Sequence, residues 1–398
     1  MSLINLKSSN EEIINSHFLD LCCDEYTEPL IRGGQSNADL ALHNLDISNY
    51  SKLRNNVYPK SKRGSSYLSA YIRHGLIDLK EVWKYVERFK YEDKTKYRDE
   101  LLWQEFSRHL YAIVGKKSNN YLNYSINSAH SKNIDTQKMN CIKTIKKELE
   151  ETGYMVNQTR MWFASHFSLR DKNDWNGYEN YMFKHLVDGS RFANRLGWHW
   201  VMGSQTGKVY GFSKFQVQKR AKKLCDECEL NYNCPISEWP ESVEVTKKNI
   251  DVLTDVYKNF GPQEIQTNDK NPEFVWITAE SLGDDDPSMK YFSSLPVVFI
   301  FDIKLLNNLK ISTKRINFLL DCLKEISLKR DLSVLMEDPL IYLKNKSFAS
   351  TFAPVPKYKK ITKFNKPLYE FPAQRLAQPI DFYPNSFSSW KKRIKLNI

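Results

Sequence analysis

Apolar residues recur every three or four positions through much of the first two-thirds of the chain, and this spacing predicts amphipathic helices. The pattern runs through residues 67–90, 98–114, 139–168 and 177–194. Strand-like alternation is scarce before residue 260, so we predict an all-helical domain over residues 1–265. A polar stretch rich in turn-forming residues follows at 261–273 and predicts a domain boundary.

Short apolar runs rich in β-branched and aromatic residues begin after this boundary. FVWIT at 274–278, PVVFIF at 296–301 and LSVLM at 332–336 are typical of strands buried on both faces. Before the third run, one face of a predicted helix carries Ile311, Ile316, Leu319, Leu320, Leu323 and Ile326. This order predicts a small Rossmann-like parallel α/β domain within residues 270–398, and hence a multi-domain protein of α and α/β class.

Composition limits the compartment and the class of protein. A chain of 398 residues with 41% hydrophobic and 27% charged residues can form packed cores and is not disordered as a whole. The first residues lack a long apolar core, which predicts no secretory signal. The longest apolar run, LPVVFIF at 295–301, is too short to cross a bilayer. We therefore expect a cytoplasmic, monomeric protein without a membrane partner.

The formal net charge of +12 predicts attraction to a polyanion, and nucleic acid is the commonest polyanion in cells. Basic residues cluster within residues 214–223, 357–366 and 391–395. A solvated basic surface explains the same charge without a partner. Charge therefore favours DNA or RNA as a partner without identifying either.

The seven cysteines argue against a disulfide framework, because their number is odd and no export signal is present. Cys225, Cys228 and Cys234 form a C-x2-C-x5-C-P cluster, and thiolates this close together are typical of sites for soft metals. Three cysteines do not complete such a site, and Cys141 stands alone upstream. The others are assigned to packing: Cys22, Cys23 and Cys322.

The segment GSSYLSAYIRHGLIDLKEVW, at 64–83, places serine hydroxyls at the start of a predicted helix. Unpaired backbone N–H groups and the helix dipole favour a pyrophosphate at such a position. A serine-rich helix cap would explain these residues without any ligand. The next segment, RDELLWQEFSRHLYAIVG at 98–115, puts Glu100 and Trp103 three residues apart on one helix face, where a carboxylate and a ring can meet one ligand.

Two further segments carry the most specific patterns. In ELEETGYMVNQTRMWFASHF, at 148–167, the residues Asn157, Arg160 and Met161 share one helix face. In NDWNGYENYMFKHLVDGSRFANRLGWHW, at 173–200, acidic, amide and tryptophan side chains recur at fixed spacing. Taken together, the four ordered segments resemble the FAD-binding domain of the photolyase/cryptochrome family.

The resemblance implies which residues would hold FAD. Those on the phosphate side are Ser65, Ser66, Leu68 and Ser69. Arg160 would be the flavin-side cation, paired with Asp188, and Asn194 would face the flavin ring. The sequence departs from the family pattern at Tyr154, Gln158 and Ser190, and Ser190 leaves the hydrogen bonding around the ring undetermined.

The resemblance also implies a pocket for a flipped pyrimidine dimer, formed by Glu100, Trp103, Asn157 and Met161. Trp198 and Trp175 match the first two members of the chain that passes electrons to photoexcited flavin. No tryptophan occurs near 116–140, where the third would be expected, so Tyr121 or Tyr124 is predicted to take its place.

The last third of the chain resembles the antenna domain of the same family, but in a different order. FVWITAESLGDDDPSMKYF, at 274–292, is similar to the opening of that domain, which in ordinary photolyases precedes the flavin domain. LAQPIDFYPNSFSSW, at 376–390, resembles the family's connector into the helical region. We predict a permuted, abbreviated antenna-like domain with a C-terminal tail. Thr-Ala-Glu replaces the family's Arg-Arg-Asp, so we expect no antenna chromophore.

One branch of the family carries an iron–sulfur cluster with its first ligand just before the third motif. Cys141 lies there, and Cys225, Cys228 and Cys234 match the later ligands with a shorter final spacing. The resemblance therefore implies a [4Fe–4S] cluster. Zinc and ordinary reduced thiols are the alternatives.

The predicted function is light-driven repair of cyclobutane pyrimidine dimers in DNA by a FAD-dependent lyase. The dimer must leave the duplex to be reached, and its weakened stacking makes that flip less costly. The (6-4) photoproduct ranks second, because residues 156–158 contain no histidine. The alternatives are a cryptochrome-like blue-light photoreceptor and a nucleic-acid-binding iron–sulfur protein without flavin. The four residues of the dimer pocket favour the repair enzyme.

Overall fold

The computed structural model describes residues 2–128, 135–170, 175–238, 243–248, 256–268 and 270–398. Residues 173 and 174 of the fourth motif, part of the 116–140 region and position 269 of the predicted boundary lie outside the described residues. The first part of the chain is mainly helical where it is described. Its α-helices are α1 Asn10–His17, α2 Gln35–His43, α3 Tyr50–Leu53, α4 Ser69–Arg73, α5 Leu79–Tyr85, α6 Tyr91–Val114, α7 Asn140–Thr152, α8 Asn157–Ser165, α9 Trp175–His185, α10 Leu196–Met202 and α11 Lys214–Asp226.

Helix α6 runs through the centre of the helical part. Leu102, Phe106 and Leu110 recur at four-residue spacing and are buried, because this face packs into the main core. The helix ends at Gly115, whose φ of 47° is a conformation that glycine adopts without strain. Within the described ranges, no helix has both the length and the apolar character that a bilayer crossing requires.

The second part of the chain is built on a mixed sheet with the strand order β1-β6-β5-β4-β7-β8. Four neighbouring pairs are parallel, and β1 pairs with β6 in the antiparallel sense. The strands are β1 Ser2–Leu3, β4 Phe274–Ile277, β5 Val297–Asp302, β6 Leu332–Glu337, β7 Phe348–Thr351 and β8 Tyr369–Phe371. The helices are α12 Pro287–Tyr291, α13 Ile303–Leu309, α14 Thr313–Lys329, α15 Pro339–Tyr342, α16 Pro356–Phe364 and α17 Phe387–Lys391. A separate antiparallel pair joins β2 Tyr124–Ser128 to β3 Val243–Lys247.

The three predicted strands and the helix between them are confirmed as β4, β5, β6 and α14. The prediction that the first part is all-helical was wrong at β1, β2 and β3, because such short strands carry little apolar alternation. Strands β7 and β8 were also missed, so the sheet is larger than predicted. The helix predicted over 177–194 ends at His185, and a π-helical turn over Arg191–Arg195 follows.

The two predicted domains pack against each other and exchange segments. Arg73 and Glu280 form an ion pair of 2.6 Å between them, with both side chains largely buried. The chain begins in the sheet, as β1, before it enters the helices. Residues 376–398, which we call the C-terminal segment, pack back onto α6, where Trp390 is fully buried and donates a hydrogen bond to His109. The boundaries 1–265 and 270–398 thus remain a prediction, with chain termini that cross them.

Candidate functional site

The loop before α4 carries the predicted phosphate contacts and is fixed from two sides. The guanidinium of Arg63 donates two hydrogen bonds to Glu148, of 2.5 and 2.9 Å. The hydroxyls of Ser65 and Tyr154 lie 2.5 Å apart. Ser69 begins α4, and its hydroxyl is buried with no hydrogen-bond partner in the protein. Buried polar atoms are normally satisfied, so an unpartnered hydroxyl at a helix start fits an external acceptor such as a phosphate.

The predicted ion pair between Arg160 and Asp188 is confirmed. Arg160 Nη2 and Asp188 Oδ2 lie 2.8 Å apart, and Arg160 Nε donates to the carbonyl of Met155. The second carboxylate oxygen of Asp188 is buried and has no partner in the protein. A cation with a buried, half-satisfied carboxylate beside it can hold a polar ring that offers both an acceptor and a donor.

The side chains of Ser190 and Asn194 both accept hydrogen bonds from backbone N–H groups of the same turn. The Ser190 hydroxyl accepts a hydrogen bond from the N–H of Ala193, and the Asn194 side-chain oxygen accepts one from the N–H of Ser190. Both residues therefore cap the turn at Arg191–Arg195. The sequence predicted Asn194 as a ligand contact and did not reveal this capping role.

Glu100 and Trp103 lie on one face of α6, as predicted, and both remain partly exposed. Burial raises the pKa of Glu100, and the nearby cations Lys96 and Arg54 oppose this rise. Arg54 Nε lies 3.6 Å from the carboxylate. A carboxylate held in this way, beside an indole, can accept hydrogen bonds from a flat heterocycle that packs on the ring.

Aromatic residues that were not among the predicted contacts surround Trp103. Phe387 stacks on it with ring centroids 4.0 Å apart and planes 9° from parallel. Trp200 meets it edge-on at 6.2 Å. The ring of Trp200 also packs against the ring of Tyr210, and the Tyr210 hydroxyl accepts a hydrogen bond from the side chain of Gln158. The W-H-W sequence that contains Trp200 could have indicated its place in the site. Nothing in the local sequence around Phe387 could have indicated that it stacks on Trp103.

Helix α8 presents the other two predicted dimer contacts. Asn157, its first residue, is exposed, and Met161 one turn later is partly exposed. Gln158, next to Asn157, is the residue that the Trp200–Tyr210 contact reaches. The structure therefore connects the two pairs of predicted contacts through an aromatic bridge.

Trp198 and Trp175, the predicted electron-transfer residues, are both buried. The ring of Tyr121 lies 6.2 Å from that of Trp175, with planes 28° apart. Tyr124 packs over Gly207 instead, where an added Cβ atom would lie 3.1 Å from its ring. Of the two predicted tyrosines, Tyr121 is therefore the one in contact with Trp175.

Cys141, Cys225, Cys228 and Cys234 line one small cavity together with apolar side chains. Burial raises the pKa of Cys141, and the other three thiols raise it further. A bound cation would relieve this repulsion among thiolates. Zinc requires sulfur atoms about 3.8 Å apart at a Zn–S distance of about 2.3 Å. Of the described residues, the one group of three donors within 4.8 Å of one another is Cys23, Asp24 and His185, so the four sulfurs are spread more widely than zinc needs.

Residues 97–232 match the family model described as the FAD binding domain of DNA photolyase. Through this segment the chain is similar to the FAD-binding domain of DNA photolyases. It is 29% identical to the Escherichia coli deoxyribodipyrimidine photo-lyase over 162 residues, 38% of this chain and 33% of that protein. The Vibrio cholerae deoxyribodipyrimidine photo-lyase is 26% identical over 158 residues, 35% of this chain and 33% of that protein. The chain thus spans about a third of the length of these curated relatives.

Two solved structures are similar over about half of the chain. The class III photolyase from Agrobacterium tumefaciens matches with a TM-score of 0.40 and 24% identity, over 48% of this chain and 43% of that one. The archaeal photolyase from Sulfolobus tokodaii, whose structure contains two FAD molecules, matches with a TM-score of 0.37 and 21% identity, over 54% of this chain and 50% of that one.

Proposed function

We propose that the protein is a light-driven lyase that splits cyclobutane pyrimidine dimers in DNA. The observation that carries the proposal is the partly exposed Glu100–Trp103 pair on α6, joined through Trp200 and Tyr210 to the helix that bears Asn157 and Met161. A photoreceptor that only signals has no physical need for a partly exposed carboxylate and ring side by side.

The residues that would hold FAD are Ser65, Ser66, Leu68, Ser69, Arg160, Asp188 and Asn194. Two unpartnered buried oxygens support this assignment, one on Ser69 and one on Asp188. When bound in its reduced form, FAD supplies the electron that the dimer returns once both of its C–C bonds have opened, so no net oxidation occurs. Arg160 favours an anionic ring beside it by Coulomb attraction.

The chain's own residues position the substrate. Glu100 accepts hydrogen bonds from the pyrimidine edge, and the Trp103 ring packs on its face. Asn157 and Met161 contact the dimer from α8. Trp198, Trp175 and Tyr121 form the route by which an oxidised flavin is reduced again, with Tyr121 as the outermost member.

The test is repair of a thymine-dimer oligonucleotide under blue light by the FAD-loaded, chemically reduced protein. Glu100→Gln keeps the side-chain volume and removes the charge. A hydrogen bond to a charged group contributes about 1.5–3 kcal/mol, so we expect repair at limiting substrate to fall roughly 10- to 100-fold. Glu92→Gln is the matched control, because Glu92 is exposed at the start of the same helix.

Three outcomes separate the alternatives. Light-dependent repair that Glu100→Gln reduces and Glu92→Gln spares supports the lyase and the pocket. Flavin bands without repair in the unmodified protein would favour the cryptochrome-like photoreceptor. A protein that binds no flavin would contradict both and leave the nucleic-acid-binding iron–sulfur protein.

We also propose that Cys141, Cys225, Cys228 and Cys234 hold a [4Fe–4S] cluster. Their shared cavity and mutual repulsion support a bound cation. Iron and sulfide analysis of anaerobically purified protein should give about four of each per chain. Cys225→Ser should lower both, while Cys22→Ser, outside the cavity, should not. One zinc per chain, or no metal in a folded sample, would contradict the cluster.

A further inference from the structure

The end of the chain brings positive charge to the candidate pocket. Phe387, at the start of α17, stacks on Trp103, and Trp390 is anchored by its hydrogen bond of 3.1 Å to His109. Lys391 then forms an ion pair of 2.5 Å with Asp99, the residue next to Glu100. The basic residues that follow therefore leave α17 next to the part of α6 that carries the proposed substrate contacts.

Three of these basic residues are exposed and directed away from the core: Lys392, Arg393 and Lys395. Arg393 lies over the ring of Phe382 at 3.4 Å, which orders its guanidinium at the surface. In the part of the chain that the structure describes, neither Lys392 nor Lys395 has a side-chain hydrogen bond or ion pair. Two ammonium groups without partners beside an ordered guanidinium fit a row of anions.

Positive charge also reaches Glu100 from other parts of the chain. Arg54 and Lys96 are the cations that lower the pKa of Glu100 against the effect of burial. Glu100 and Trp103 therefore have basic groups from two parts of the chain near them. Each strand of duplex DNA carries one phosphate per about 3.4 Å of helix axis, so phosphates lie on both sides of any nucleotide held at Trp103.

We propose that the C-terminal segment is part of the DNA-binding face, and that Lys392, Arg393 and Lys395 contact the phosphates that flank the bound nucleotide. This proposal rests on the proposed function for the position of the nucleotide. Phosphate contacts fix the register of a protein on its strand without reading its sequence. The segment that follows the α/β domain would thus complete a surface whose other contacts come from the helical domain.

The test compares two double variants of equal charge. Lys392→Ala with Lys395→Ala removes two cations from the proposed face. Lys360→Ala with Lys363→Ala removes two exposed cations from α16, on the α/β domain. Both variants lower the net charge of +12 by two, so a difference between them must be local. The probe is a fluorescent undamaged duplex, whose affinity is measured from low to moderate salt.

Each phosphate contact contributes about 0.9 to the slope of log affinity against log salt. The slope of log affinity against log salt should therefore be smaller by roughly 1.8 for the Lys392/Lys395 variant than for the unmodified protein. The Lys360/Lys363 variant should keep the slope of the unmodified protein. Equal slopes in the two variants, or a larger loss in the α16 variant, would overturn the proposal. Unchanged near-ultraviolet circular dichroism would show that Trp390 remains docked in both.

The duplex carries no lesion, so its binding does not depend on repair. If the unmodified protein repairs dimers but the two variants show equal slopes, the surface is wrong and the proposed function stands. If repair is absent while only the C-terminal variant loses slope, the surface stands as a DNA contact and the proposed function fails.

Discussion

Replacing Glu148 by glutamine tests how the predicted phosphate loop is held. Arg63 and Glu148 form a two-pronged ion pair, and only 4% and 6% of their side-chain surfaces are exposed. Removing one charge from a buried pair leaves the other uncompensated, which costs about 3–5 kcal/mol. Glutamine keeps the side-chain volume and one acceptor oxygen, so we expect the free energy of unfolding to fall by about 3 kcal/mol, the lower end of this range. The pair between Glu148 and the more exposed Lys60 adds little.

The assay is urea unfolding, followed by tryptophan fluorescence with and without FAD. Glu151→Gln is the control on the same helix, because Glu151 and its partner Lys147 are mostly exposed. That change should alter stability by no more than about 0.5 kcal/mol. A hundredfold excess of FAD over its Kd stabilises the folded protein by about 2.7 kcal/mol, and the Glu148 variant should gain less at the same FAD concentration. Equal stabilities of the two variants, within about 1 kcal/mol, would refute the view that this pair fixes the loop.

Two further predictions concern electron transfer and acid stability. Tyr121→Phe should slow the blue-light reduction of bound flavin seen in its absorption bands, because Tyr121 stacks near Trp175, and Tyr124→Phe should not; equal rates would remove Tyr121 from the route. Burial lowers the pKa of His199 from 6.5 to about 4, so this group stabilises the fold above pH 6.5 and loses that contribution as pH falls towards 4. Between pH 6.5 and 5 the loss is about 2 kcal/mol. In urea unfolding, the free energy of unfolding of His199→Gln should fall by about 2 kcal/mol less than that of the unmodified protein between pH 6.5 and about 5. An unchanged pH dependence would show that His199 is not buried in its neutral form.

The local sequence was enough to predict which side chains lie together where one helix or one short loop carries them all. Glu100 and Trp103 share a face of α6 because three residues nearly complete a helical turn. The thiols of Cys225, Cys228 and Cys234 lie together because the chain turns tightly between them, and Cys141 joined them only through family resemblance. The Arg160–Asp188 pair was likewise predicted by resemblance, since nothing in the spacing of 28 residues requires a contact.

Contacts across the whole chain could not be predicted, for a physical reason. Trp390 and His109 are separated by 281 residues, and only the closed fold brings them together. The strand β1 has two residues and exists because β6 offers it an edge, so it leaves no pattern of its own. The sequence comparison noted only that Ser190 stands where the family has an acidic residue. In the structure its hydroxyl accepts a hydrogen bond from the backbone N–H of Ala193, which only the turn at Arg191–Arg195 brings close.

Helix α6 connects these long-range contacts to the candidate site. The pKa of Glu105 is lowered although burial alone would raise it, because His109 and the backbone N–H of Ala377 stabilise its carboxylate. One side of α6 is therefore locked to the C-terminal segment by a buried charge. The same segment also reaches the part of α6 that carries Glu100 and Trp103, because Phe387 stacks on Trp103 and Lys391 pairs with Asp99. It follows that the docking of the C-terminal segment onto α6 helps to set the orientation of the proposed substrate contacts.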